Sequence, residues 1–247
     1  MHDEASTLHR DRMFNRRVLD KTLASAGFPG TAPRAYTIPS LAPLEYAIPS
    51  SCECVAWEIW VDTPRGFSQR IVFGVTAIHP EAAAFARRCL SQYAGKRWAD
   101  AVHNYPELYR GLRSPIREFD EQIPGESMSH QSHSADETAL LIADSIRRSV
   151  LPFIATINSE RTYYDALVGE TPLNWRFAPP MTRAGQVAFL GAKFGVTKGE
   201  LEKVLMQRAS FIKGQLDKSG VDVSDFIASI VSAALDCCEE RNDTGRK

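Results

Sequence analysis

Two neighbouring stretches of the chain alternate between apolar and polar residues. The first runs from Val55 to Asp62 and the second from Gln69 to His79, and the turn-forming segment 63–66 separates them. The apolar positions of the two stretches are Val55, Trp57, Ile59, Val61, Ile71, Phe73, Val75 and Ala77. A period of two is typical of a strand with one buried face. The pattern therefore predicts an antiparallel hairpin packed under helices, and it supplies no reactive group.

Most of the remaining chain has apolar residues at helical spacing. The predicted helices cover residues 5–27, 81–93, 137–153, 160–168, 186–194, 198–212 and 224–239. Gly27, Gly169 and Gly195 are the expected stops, and Pro152 is expected to kink the helix that contains it. The pairs Ser134/Glu137 and Thr197/Glu200 have the spacing of capping boxes.

The sequence therefore predicts an α+β fold, in which an antiparallel β-meander packs against several helices and the C-terminal half is helical. Prolines recur through 33–49, so Leu44 to Ile48 is expected to be a short or edge strand. Residues 1–123 are interpreted as an N-terminal helix, a sheet and a covering helix. The serine-rich segment 124–136 is interpreted as a loop or linker, residues 137–240 as a helical region on the same core, and 241–247 as a frayed tail.

Composition narrows the classes of function. The 247 residues carry a formal net charge of −1, which disfavours generic binding to nucleic-acid backbones. No run approaches the roughly 20 apolar residues that a membrane span needs, and the first residues lack the pattern of a secretory signal. The five cysteines are an odd number and include the adjacent Cys237 and Cys238, which disfavours a disulfide framework. We therefore expect a cytoplasmic protein with no membrane contact.

The close pairs of ligand-type residues do not have the spacing of a known metal site. Cys52-x-Cys54 lacks the second knuckle of a zinc site, and His130-x-x-His133 lies in the serine-rich segment. Cys89 follows two arginines that would lower the pKa of a thiol, but its apolar neighbours favour core packing. No phosphate-binding glycine motif occurs. We predict no metal, no cofactor and no catalytic cysteine.

The outer face of the hairpin carries the more informative side chains. Glu58, Trp60 and Asp62 share this face. Trp60 is either covered by a helix or exposed to a partner. A nonstandard hydrolase or transferase would instead bring Glu58, Asp62, His79 or His103 together in one pocket. His79 also stands where a helix N-cap would lie, ahead of Pro80.

The order of these elements resembles a group of uncharacterised bacterial domains that contain a helix, an antiparallel meander and a second helix. The residues that carry the resemblance are the Gly27-Phe28-Pro29 step, the two hairpin strands, the helix 142–153 that ends in Leu-Pro-Phe, and Tyr163 to Leu167. It covers roughly residues 8–170. For some of those domains the implied role is immunity against a toxin in interbacterial competition, and no catalytic residue carries over.

The sequence therefore predicts a non-enzymatic protein-binding protein, an immunity or antitoxin-like protein that occludes a cognate bacterial toxin. The partner-binding candidates are Trp60, Glu58, Asp62, Trp98, Tyr105 and Tyr109, within a wider pool of aromatic residues that includes Tyr93 and Trp175. The alternative is a small hydrolase or transferase with a site near Glu58, His79 and His103. A third possibility is self-association through the helix 224–239, whose apolar stripe suits burial within or between chains.

Overall fold

The structure is a computed structural model, and it describes residues 16–25, 27–28, 44–48, 52–62, 70–99, 112–115, 128–129, 135–169, 180–217 and 219–244. These residues confirm the predicted α+β class. The chain divides into two compact units, Met1–Thr76 with Ser114–Asn158 and Ala77–Arg113 with Ser159–Lys247. Each unit thus combines two segments that are distant in sequence.

The first unit contains most of the residues of a β-sheet. Its strands are β1 (Leu44–Ile48), β2 (Ala56–Asp62), β3 (Arg70–Ile78), β4 (Leu112–Pro115) and β5 (Met128–Ser129). The order is β1-β2-β3-β4, with β5 also paired to β3, so β1 is an edge strand as its flanking prolines predicted. The register of β1 and β2 places Ala47 opposite Glu58. β5 pairs with Arg70 and Ile71, so part of the predicted 124–136 loop is a strand.

Burial along the hairpin follows the predicted alternation where side chains are described. Trp57 and Ile59 in β2 are buried and Glu58 between them is half-buried. The Trp57 ring meets the Phe153 ring edge to face, with 6.1 Å between centroids. Thr76 departs from the pattern, because it is buried beside Val75. The end of β3 is therefore covered on both faces, which strict alternation did not indicate.

The helices of the first unit are α1 (Arg16–Ser25), α3 (Ala135–Ser145) and α4 (Leu151–Thr156), with a π-helical turn at Ile146–Val150 between the last two. Gly27 ends α1 at φ 86°, as predicted, and its amide donates to the Ala24 carbonyl while that of Phe28 donates to Leu23. The expected disturbance near Pro152 takes the form of the π-helical turn. Proline has no N–H for the carbonyl four residues earlier, and Leu151 N–H bonds back five residues to Ile146.

The second unit is helical. It contains α2 (Pro80–Tyr93), α5 (Glu160–Val168), α6 (Pro180–Lys193), α7 (Lys198–Met206), α8 (Ala209–Leu216) and α9 (Val223–Thr244). The centre is α6, which is buried at every residue from 181 to 192 and packs against the other five helices. Glycine allows this packing. A Cβ on Gly185 would lie 2.9 Å from the Ala86 Cα atom, so α2 and α6 touch through backbone.

Helix ends in the second unit agree with several predictions and correct others. Gly169 and Gly195 end α5 and α6, and Thr197 and Glu200 form the predicted capping box at the start of α7. The helix predicted over 198–212 is two helices, because the chain turns at 207–208. The apolar pattern of 198–212 predicts that Phe211 and Ile212 both lie on the buried face. Ile212 is buried, but Phe211 is 52% exposed, so the prediction for Phe211 is wrong. Helix α9 continues to Thr244, into the predicted tail.

Candidate binding groove

Helices α2 and α9 of the second unit flank an open groove with a volume of about 730 Å³. Phe85 and Cys89 of α2 line it, and both are buried. The α9 side consists of small residues on adjacent turns, namely Ala228, Ser229, Ser232 and Ala233. Because these side chains are short, the backbone of an occupant can approach α9 closely.

The groove carries charge of opposite sign on its two helices. Arg88 on α2 is exposed, whereas the exposed charged residues of α9 that line the groove are Asp236 and Glu240. The Arg88 guanidinium lies over the Phe85 ring, 5.7 Å from its centroid, and Nη2 is 4.0 Å from Cys237 Sγ. Gln92 and Tyr93 complete the polar lining on the α2 side. The groove is thus neither purely apolar nor uniformly charged.

The start of α2 is fixed by His79, the N-cap residue. Its Nδ1 accepts a hydrogen bond from Ala82 N–H at 3.2 Å, and Pro80 occupies the first helical position. Because a backbone N–H only donates, Nδ1 carries no proton, and Nε2–H donates to Glu160 Oε1 at 2.7 Å. The ring is 1% exposed and stacks on Tyr163. His79 therefore has the capping role that its position before Pro80 suggested.

Glu160 connects this cap to α6. Its Oε1 also accepts a hydrogen bond from Lys193 Nζ at 2.7 Å, and Glu81 Oε2 lies 3.6 Å from the same nitrogen. Burial raises the pKa of Glu160, but the hydrogen bonds from Lys193 and His79 outweigh it and hold the pKa below its ordinary value. The same bond to Glu160 raises the pKa of Lys193 against the effect of burial. These contacts connect the start of α2 to the start of α5 and to the end of α6.

The thiol of Cys89 is not an activated nucleophile. Burial raises its pKa to about 12, against a smaller opposite effect of Arg88. A nucleophilic cysteine needs the thiolate at neutral pH, so the thiol at this position acts as apolar packing in the groove floor. The sequence-based choice of core packing for Cys89 agrees with this burial.

None of the described residues that the sequence predicted to bind a partner lines this groove. Trp98 is half-buried, and its Nε1–H donates to the Gln215 carbonyl oxygen of α8 at 3.3 Å. Glu58 is half-buried in β2 of the first unit, where Trp60 and Asp62 are placed by their backbone only. Tyr105 and Tyr109 lie outside the described residues, as do Trp175, His103, His130 and His133.

The apolar stripe of α9, which the sequence left open for self-association, is buried within the second unit. Phe226, Ile230 and Val231 are buried, and α9 packs on α6, α7, α8 and α2. The groove was missed because its α9 side has small residues instead of aromatic ones. The sequence does contain a pattern that indicates this surface of α9, because Ala228, Ser232 and Asp236 recur every four residues beside the apolar stripe. Of the aromatic pool, Tyr93 lines the groove.

The comparisons with known proteins add no assignment. No family model, curated protein or solved structure matches this chain. Within the described part of the chain, none of the helices combines the length and the apolar composition that a bilayer crossing requires.

Proposed function

We propose that this chain is a non-enzymatic protein-binding protein whose partner inserts a helix into the groove between α2 and α9. The observation that carries the proposal is the groove itself: an open trough between two helices, with an apolar floor at Phe85 and Cys89. Helix-in-groove recognition uses such a trough, with apolar anchors of the partner packing against the floor. Small residues on α9 favour close approach of the partner's backbone.

Charge specifies the chemistry of the inserted helix. Arg88 on one side attracts acidic side chains, and Asp236 on the other attracts basic ones. The proposed partner helix therefore has an apolar stripe between an acidic edge that faces α2 and a basic edge that faces α9. The high pKa of the Cys89 thiol, about 12, favours binding over covalent catalysis at this groove.

The partner class follows from the resemblance of residues 8–170 to immunity-protein-like domains. We propose a cytosolic immunity role, in which the chain occludes a cognate bacterial toxin and neutralises it. Binding through a rigid groove suits occlusion, because a preformed surface loses little conformational entropy on association.

The test is co-purification from the native host with two matched variants. Ala228→Trp fills the groove at an exposed alanine of α9, and Ala84→Trp places the same side chain at an exposed alanine of α2 that does not line the groove. We expect one stoichiometric partner with the wild type and with Ala84→Trp, and at least about tenfold less with Ala228→Trp.

The partner, expressed alone, should be toxic, and co-expression of the chain should relieve that toxicity. The proposal fails if the wild-type chain purifies without a partner. It also fails if Ala228→Trp retains the partner as well as Ala84→Trp does.

A further inference from the structure

The two cysteines of the Cys52-x-Cys54 pair lie in a turn in front of β2. Their Sγ atoms are 2.6 Å apart, and Val55 N–H donates to the Cys52 carbonyl at 3.1 Å to close the turn. In an extended strand the Cα atoms of Cys52 and Cys54 would lie about 6.6–7.2 Å apart. The turn instead brings the thiols together, because it shortens the Cα separation that an extended Cys-x-Cys segment would have.

The distance between the two Sγ atoms can be compared with the distances expected at a metal site and in a disulfide. Two thiolates on one tetrahedral zinc, each about 2.3 Å from the metal, lie about 3.8 Å from each other. The observed 2.6 Å is much shorter and approaches the disulfide bond length of about 2.05 Å. The turn therefore holds the two thiols as a close pair, whose separation is nearer to that of a disulfide than to that of two ligands of one zinc ion.

We propose that Cys52 and Cys54 form a reversible disulfide by exchange with a low-molecular-weight disulfide such as oxidised glutathione. The two thiols differ in access: Cys52 is 5% exposed, whereas Cys54 is half-buried. Cys54 is therefore the attacking thiol and Cys52 the resolving one. The inference is independent of the groove, which lies in the other unit.

The exchange takes place in two steps. The Cys54 thiolate attacks one sulfur of the glutathione disulfide, that S–S bond breaks, and one glutathione thiolate leaves and takes up a proton. The Cys52 thiolate then attacks Cys54 Sγ, and the second glutathione leaves as a thiol. The protein loses two electrons and two protons, and one glutathione disulfide is reduced to two glutathione molecules.

The test is peptide mapping of the full chain after equilibration in glutathione buffers of increasing oxidised fraction. After an acid quench, alkylation and trypsin digestion, the fragment 35–65 contains Cys52 and Cys54 and no other cysteine. We expect this fragment to become two hydrogens lighter, and to recover both alkylation sites when the buffer is made reducing. The fragment 219–241 carries Cys237 and Cys238 on α9 and is the internal control. It should take up glutathione instead of closing, because helical geometry holds adjacent side chains apart.

Single variants test the assigned roles. Cys52→Ser should trap glutathione on Cys54, and Cys54→Ser should carry at least about tenfold less glutathione on Cys52, because that thiol is buried. The proposal is overturned if the wild-type fragment stays a dithiol in fully oxidised glutathione. It is also overturned if that fragment accumulates two glutathione adducts.

Discussion

The contact between α2 and α6 predicts opposite outcomes for the same substitution at two glycines. Gly185 lies in the buried centre of α6, where an added Cβ would be 2.9 Å from both the Cα and the Cβ atoms of Ala86. Gly214 lies in α8, is exposed, and has nothing within 4 Å of an added Cβ. The two glycines therefore differ mainly in the space that a methyl group would find.

The magnitude follows from two effects. Replacing glycine by alanine inside a helix stabilises it by about 0.5–1 kcal/mol at either position. At Gly185 the methyl group also meets backbone, which cannot rotate away, and overpacking of this kind costs about 1–3 kcal/mol. The helical gain is common to both variants, so the difference between them, about 1–3 kcal/mol, isolates the steric cost.

Urea unfolding followed by far-UV circular dichroism measures this difference. Gly214→Ala should raise the free energy of unfolding, and Gly185→Ala should leave it unchanged or lower it. For a chain of this length each kcal/mol corresponds to about 2–4 °C in Tm. Equal stabilisation by both substitutions would refute the close approach of α2 and α6, and with it the placement of α2 beside the groove.

Three further predictions concern side chains of the second unit. Glu160→Ala should cost about 1–3 kcal/mol, because it leaves the buried Nε2–H of His79 without this acceptor, and Glu160→Gln should cost less. The folded pKa of Glu160 is depressed, so its stabilising effect is present above the unfolded pKa and is lost as pH falls through the folded pKa. As the pH is lowered from about 6 to about 3, the urea concentration at the unfolding midpoint should therefore decrease less for Glu160→Gln than for the wild type. Thr197→Ala should cost about 1 kcal/mol in urea unfolding, through loss of the α7 cap. Cys89 should resist iodoacetamide at about pH 8 in the folded chain and react in urea, as read by peptide mapping.

Each of these predictions has an outcome that contradicts it. If the urea midpoint of Glu160→Gln decreased with falling pH as steeply as that of the wild type, Glu160 would not be the source of the pH dependence. Wild-type stability of Thr197→Ala would mean that the capping box does not stabilise α7. Rapid alkylation of Cys89 in the folded chain would contradict its burial and its high pKa.

Local signals predicted many of the elements, because they depend on neighbouring residues. Gly27 and Gly195 end helices at positive φ, and Thr197 caps α7 through a contact three residues away. The hairpin strands follow from the alternation around Trp57, and the edge position of β1 from its flanking prolines. Signals of this kind need no knowledge of what packs against the element.

The parts that escaped prediction depend on tertiary packing. Helix α6 buries Thr182, Arg183 and Gln186, which helical periodicity would place on an outer face. Arg183 Nε donates to the Leu167 carbonyl at 3.2 Å, and burial lowers the pKa of this arginine to about 9. Tyr163 donates its hydroxyl to Gln186 Oε1 at 3.0 Å. Such partners lie up to 23 residues away, so no local pattern indicates them.

The candidate groove could not be predicted from the sequence for a related reason. Aromatic side chains dominate the binding energy in many interfaces, so the sequence pointed to Trp60, Trp98 and the tyrosines as partner-binding residues. A groove is instead defined by the space that small residues leave, and that space exists only once α2 and α9 are placed side by side. The alanine and serine residues of α9 have no distinctive chemistry of their own.

The groove between α2 and α9 is tested most directly by photo-crosslinking in the native host. A benzophenone amino acid is placed at Ala228, which lines the groove, and in a second strain at Ala84, an exposed alanine outside it. We expect one discrete crosslinked protein from Ala228 that is absent or at least about tenfold weaker from Ala84. A crosslink of equal yield from both positions, or none from Ala228, would contradict the groove as the binding site.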